Sequence, residues 1–351
     1  MLLFDKTGWK AFNIFFKSLC FLIALTLTVY WSYKFLKNDD KSVVQYSKYL
    51  ESDNNPYPVL SFCYQNPFIE SKLQVYNVTK DEYLNFLKGE TGYFSNKYLN
   101  IPYDDITLDV HDYITKHFGY YKYFINGTEK NMTSKEGLSL FEISNSYNGF
   151  IHQRFFKCFS FASKSKERIR MASLGLSQDI FKEHSRTSYY SFITLFHYPH
   201  QFLRSSGTMR RVWKERKDNS EFSMWFTLTG MDVMNRRNKR HDTCITNWRD
   251  YDNEMLKRHI YNLNCSAPYH PTFVTSNRLA CHNESDLQKA SKFGPDQYEQ
   301  FGLEPPCRSV EKIQYTYVEH ELDASSWSGK GHFWIEMIFL DQRFRETTQS
   351  R

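Results

Sequence analysis

Hydrophobic residues follow two regimes along this chain. The first is one unbroken run: from Ser18 to Tyr33 no residue is charged. Lys17 and Lys34 bracket it, and Phe12, Ile14, Phe15, Phe16, Phe35 and Leu36 extend it on both sides. About 20 apolar residues carry a helix across the hydrocarbon of a bilayer, and lysines at the ends snorkel to the interface. Tyr30, Trp31 and Tyr33 fall where an interfacial aromatic belt belongs. A cleaved signal peptide ends in small residues, whereas this run exits through Trp-Ser-Tyr-Lys-Phe-Leu. The pattern predicts a retained transmembrane helix over 17–36, preceded by a tail at 1–16.

The second regime covers residues 37–351 and consists of short apolar stretches between turn signals. Tyr57–Tyr64, Phe155–Phe161, Tyr189–Phe196, Met224–Leu228 and Phe333–Leu340 concentrate β-branched and aromatic residues and read as strands. In the last, Phe333, Ile335, Met337 and Phe339 share one face. Spacing of three to four at Trp248, Tyr251, Met255, Ile260 and Leu263 predicts a helix within Asn247–Leu263, and Ser285–Phe293 a shorter one. Predicted helices thus gather between Cys244 and Cys307, with strands on either side. The expected class is α+β, a mixed sheet carrying an inserted helical lobe at about 244–307. A final strand is expected at about 333–346.

Modification signals orient the chain better than charge does. Lys6, Lys10 and Lys17 precede the span and Lys34, Lys37 and Lys41 follow it, so the positive-inside rule is nearly silent. Acceptor triplets at Asn77, Asn126, Asn131 and Asn283 require the lumenal side for glycosylation. Six of the seven cysteines lie outside the span, an even set suited to disulfides in an oxidising compartment. The expectation is a cytoplasmic N-terminus and an extracellular domain of residues 37–351, at the plasma membrane.

Other chemistry is set aside on spacing. No cysteine or histidine cluster has zinc spacing, and the proline in His197-Tyr198-Pro199-His200 disfavours a helical ligand pair. No Gly-x-Ser-x-Gly elbow or phosphate loop occurs. No metal, cofactor or enzymatic activity is expected. The net charge of +6 is spread along the chain, and Arg236-Arg237-Asn238-Lys239-Arg240 stands without a nucleic-acid motif. No nucleic-acid partner is expected.

Tyr57-Pro58-Val59-Leu60-Ser61-Phe62-Cys63-Tyr64-Gln65-Asn66-Pro67-Phe68 resembles the strand that follows the first span in the epithelial sodium channel/degenerin family. Lys157-Cys158-Phe159-Ser160-Phe161, Leu195–Pro199 and the Cys244…Cys265…Cys281…Cys307 stretch resemble later motifs in the same order. Phe339–Glu346 resembles the strand leading toward the family's second span. The resemblance covers almost the whole chain.

It implies a subunit of a trimeric sodium-permeable, amiloride-sensitive cation channel, built with itself or with same-family subunits. It also implies a nested thumb pairing, Cys244–Cys307 and Cys265–Cys281. Cys63 and Cys158 then form a third pair or, as where the family's first-strand cysteine is unpaired, stay free. Tyr57, Pro58, Asn66, Pro67 and Phe68 take the place of the gating wrist between span and palm.

Three features depart from the family. Thr7-Gly8 stands where a cytoplasmic His-Gly is usual. Residues 236–243 replace a proline-rich segment, with His241 nearest its aromatic. No apolar run follows Phe339–Glu346, so no residue supplies the Gly-x-Ser ion filter. The expectation is a subunit without its pore-lining span. The alternative is a single-pass glycoprotein that binds or regulates full-length subunits without conducting.

Overall fold

The computed structural model describes residues 6–37, 41–48, 58–113, 121–125, 128–132, 141–164, 168–177, 189–203, 209–215, 220–236, 243–247, 250–271, 279–295, 304–323, 332–339 and 343–350. The apolar run lies in helix α1, Lys6–Lys37, longer at its N-terminal end than the pattern predicts. Its stretch Phe12–Tyr33 is long and apolar enough to cross a membrane, and none of it is buried against the rest of the chain. Exposed Leu, Ile, Phe and Trp all round such a helix need an apolar solvent.

The remainder is a mixed α+β domain with two sheets rather than one palm sheet. The smaller sheet is wholly antiparallel. It contains β2 (Val59–Gln65), β5 (Phe141–Ile151), β6 (Arg154–Ser163), β8 (Tyr189–His197) and β9 (Met209–Glu215), in the order β5-β6-β2-β8-β9. The larger one is built on β10 (Ser220–Arg236), with β11 (Arg308–Asp323) antiparallel along one side. On its other side β12 (His332–Phe339) and then β13 (Arg343–Ser350) run parallel to successive stretches of β10. The expected single strand at 333–346 is therefore two strands with different outer partners. β12 pairs with β7 (Arg168–Ser177), while β13 pairs with β1 (Lys41–Lys48). β3 (Tyr121–Ile125) and β4 (Thr128–Met132) complete the far edge.

Alternation explains why the sheets stack. Along β2, Leu60, Phe62 and Tyr64 point to one face, where they meet Phe222, Met224, Phe226 and Leu228 of β10. Cys63 points to the other face and packs with Tyr251 and Met255 of a covering helix and with Phe293. A strand whose two faces are both apolar is buried on both sides. β2 is accordingly a central strand of a central layer.

Helices also occur where the sequence pattern put none. Besides α6 (Tyr251–Leu263) and α7 (Glu284–Ser291), a run of short helices follows β2: α2 (Glu70–Val75), α3 (Lys80–Lys88), α4 (Asn96–Leu99) and α5 (Tyr103–Ile106). The expectation that helices gather between Cys244 and Cys307 is corrected by this group. Its local cause is plain in α3. Thr79 and Glu82 form a reciprocal capping box, and Gly89 closes the helix in the left-handed conformation. α3 packs against α7, so the lobe rests on these helices as well as on the smaller sheet.

Candidate functional site

The residues expected at the wrist lie where β2 leaves the sheet. Pro58 is buried at the strand's entry, and Tyr57 lies outside the described residues. Asn66 takes a positive φ of 51° and donates its backbone N–H to the Phe155 carbonyl at 2.8 Å. Asparagine tolerates this left-handed conformation better than most residues with a Cβ. The chain then turns through Pro67, whose carbonyl accepts from Leu108 N, and Phe68 bridges to Thr107. Asn66-Pro67-Phe68 thus ties β2 to the segment after α5.

Phe68 is fully buried at the centre of an aromatic cluster that joins three parts of the molecule. Its ring centroid lies 5.4 Å from Tyr83 of α3, 6.4 Å from Tyr103 of α5 and 5.5 Å from Phe155 of β6. Phe155 in turn lies 5.2 Å, edge-on, from Tyr269 in the disulfide-closed lobe. Aromatic pairs at these distances add about 0.5–1.5 kcal/mol each beyond burial. Burial pushes the Tyr83, Tyr103 and Tyr269 hydroxyls well above the ordinary tyrosine range, so all three stay neutral.

Lys157, beside Cys158 on β6, runs into the same junction. Its ammonium donates to Thr107 Oγ1 at 2.9 Å and lies 3.6 Å from Asp104 and 5.7 Å from the Tyr103 ring. Burial lowers its pKa, while the charges of Asp104 and Asp109 pull it back up. The lysine fastens the α5 segment to the sheet.

Three disulfides brace this arrangement: Cys63–Cys158 between neighbouring strands β2 and β6, Cys244–Cys307 at the base of the lobe, and Cys265–Cys281 around Tyr269. Their sequence separations of 95, 63 and 16 residues correspond to roughly 5, 4 and 3 kcal/mol in the chain-entropy model. Short bridges Ile245↔Pro306 and Ser266↔Ala280 sit beside the two lobe disulfides.

Inside the lobe, His259 stacks on Phe293 at 4.1 Å and lies 6.0 Å from His270. Burial pushes these imidazoles down to about 4 and about 3. Asp252 at the start of α6 accepts from Phe202 N at 2.7 Å and Leu203 N at 3.3 Å, which latches the lobe to the loop that follows β8. Burial nevertheless pushes its carboxyl up to about 7.

Asn77 and Asn283 are exposed. Asn283 caps α7, its Oδ1 accepting from Asp286 N. Asn131 falls in β4, while Asn126 and His241 lie outside the described residues.

His197 is the core of a buried hydrogen-bond chain. Its Nδ1–H donates to the Tyr198 carbonyl at 2.7 Å, leaving Nε2 to accept from Ser61 Oγ at 2.7 Å; Ser160 Oγ is 2.6 Å from Ser61. Ser61 is wholly buried, so this serine–histidine pair has no approach for a substrate. Burial lowers the His197 pKa to about 4. Among the described residues no group of three or more His, Cys, Asp or Glu is placed to hold a metal ion.

No family model and no curated protein matches the chain. Among solved structures, a cryo-EM structure of a proton-activated chloride channel is similar at 7% identity, with a TM-score of 0.29, covering 95% of this chain and 83% of that one. The crystal structure of Erv41p is similar at 7% identity, with a TM-score of 0.25, covering 87% and 99%. At such scores neither likeness carries a functional argument.

Proposed function

We propose that the chain is a subunit of a trimeric sodium-permeable, amiloride-sensitive cation channel of the plasma membrane. Its N-terminus is cytoplasmic and residues 37–351 face outward. The observation that supports this reading is the pairing of β1 with β13, which sets Lys41 opposite Ser350. Lys41 is four residues past Lys37, the end of α1, a reach of at most about 15 Å. β13 therefore runs toward the membrane face that α1 leaves. A segment following it would meet the bilayer beside α1, where a pore-lining span belongs. Sodium selectivity needs a ring of ligands within the membrane, and among the described residues α1 alone is long and apolar enough to cross. The filter is accordingly assigned to a span after β13.

In this mechanism a stimulus acting on the disulfide-bonded lobe shifts a closed/open equilibrium. The ring sequence Tyr269, Phe155, Phe68 carries the shift to the Asn66-Pro67-Phe68 turn, and β2 passes it toward the span. Same-family subunits complete the trimer.

A second reading keeps the same membrane helix and disulfide-bonded domain: a single-pass glycoprotein that regulates full-length channel subunits. Voltage-clamp recording separates the two. The channel reading predicts an amiloride-blocked sodium current from cells expressing the natural gene product. Absence of current alone, with altered currents from co-expressed family subunits, selects the regulator. Absence of both effects overturns the two readings together.

A further inference from the structure

A groove of about 660 Å³ opens where the C-terminal ends of α3 and α7 meet the β5–β6 turn, lined by Lys88, Glu90, Phe150, His152, Gln153, Gln288, Ser291 and Lys292. Its floor is apolar, since Phe150 is buried beneath it. Its rim is cationic by one charge, because Glu90 lies 3.5 Å from Lys88 and Lys292 adds a second ammonium. Lysines at the C-terminal end of a helix complement its dipole, which by itself accounts for Lys88 and Lys292.

It does not account for the turn. Ile151 pairs directly with Arg154, so His152 and Gln153 form a two-residue hairpin loop, and their φ values are 46° and 64°. Such a loop favours Asn-Gly, because both central residues take the left-handed conformation. This chain instead places two long polar side chains there, and both line the groove. Non-glycine residues held in this region cluster at ligand sites.

We infer that the groove is a binding site for a small carboxylate ligand with an apolar body. The body packs on Phe150, the carboxylate meets Lys292, and the His152 and Gln153 side chains close over it. Phe150 lies 5.0 Å from Phe155 and 6.1 Å from Tyr269, so an occupant rests on the aromatic cluster that joins lobe and wrist. The binding does not rest on the channel reading, and it is measured on the protein itself.

The test is calorimetric titration of the detergent-solubilised full chain with 4-phenylbutyrate, and with 4-phenylbutyramide as the uncharged control. A ligand of this size binds with a Kd of about 1 mM. Saturable binding of the acid, at least about tenfold weaker for the amide and for Lys292→Glu, is the expected result. The double variant His152→Asn, Gln153→Gly relieves the turn, so it is expected to raise the melting temperature while binding is lost. No saturable binding overturns the proposal, as does affinity unchanged in Lys292→Glu or in the turn variant. If the turn variant melts lower, Lys292→Glu decides alone.

Discussion

At the scale of single residues, Asn66 has a φ of 51° and a backbone bond to Phe155 that together make it the point where β2 leaves the sheet. Asn66→Val places a β-branched residue in the left-handed region, so a loss of about 1–2 kcal/mol is expected in urea unfolding. Asn66→Gly is expected to stay close to wild type; equal losses in both variants would remove the conformational explanation.

The buried histidines give a second prediction at this scale. His197, His259 and His270 have folded pKa values of about 4, 4 and 3 against 6.5 for the unfolded side chain. The folded state binds fewer protons, so their contribution is full above about pH 6.5 and falls away toward pH 4. Each costs about 1.4 kcal/mol per pH unit within that window. Asp252, raised to about 7, opposes them, since its folded form keeps a proton that the unfolded form releases. Three groups outweigh one, so stability falls on acidification. His259→Phe preserves the stack on Phe293, and its unfolding midpoint should drop less between pH 7 and 5 than that of wild type. Parallel slopes would contradict this. The sequence names these histidines but gives no sign of their burial, which tertiary packing alone creates.

At the scale of elements, β2, β6, β8, β10, β12 and the two lobe helices were legible because apolar residues cluster there with clear periods, whereas the more polar strands β1, β3, β4, β5, β7, β9, β11 and β13 were not. The sheet count was not: alternation in β2 marks two apolar faces without saying what covers each. The helices at 70–106 fall where apolar periodicity predicts none, although Thr79-x-x-Glu82 is a capping signature written in the sequence. Their docking on the lobe depends on Gly89. A Cβ there would lie 2.4 Å from the Glu284 carbonyl oxygen and 2.5 Å from Gln288 N, on a backbone with φ of 70°. Gly89→Ala is therefore expected to cost about 2–4 kcal/mol, from overpacking and left-handed strain together, and to loosen α3 from α7 in amide exchange. Unchanged protection at both helices would mean that the contact carries little of the lobe's support.

At the scale of the whole molecule, an apolar helix with no buried face stands before a domain tied by three disulfides. Asn77 and Asn283 are exposed, so digestion with an N-glycosidase should shift the mobility of cell-derived protein, and Asn77→Gln with Asn283→Gln should diminish the shift. Mobility indifferent to the enzyme would place the domain on the wrong side of the membrane for this account. The Asn66-Pro67-Phe68 turn stands in the sequence as a motif. Its aromatic contacts with Tyr83, Tyr103 and Phe155, and through Phe155 with Tyr269, were not legible there, because tertiary packing alone brings these segments together.

The central claim, that this domain belongs to a channel subunit, is tested most directly by reading the native transcript past the codon for Arg351. The account predicts about 20 apolar codons containing a Gly-x-Ser, placed after β13 where the chain meets the membrane. A stop codon directly after Arg351 would contradict it, leaving the chain with no pore-lining span of its own.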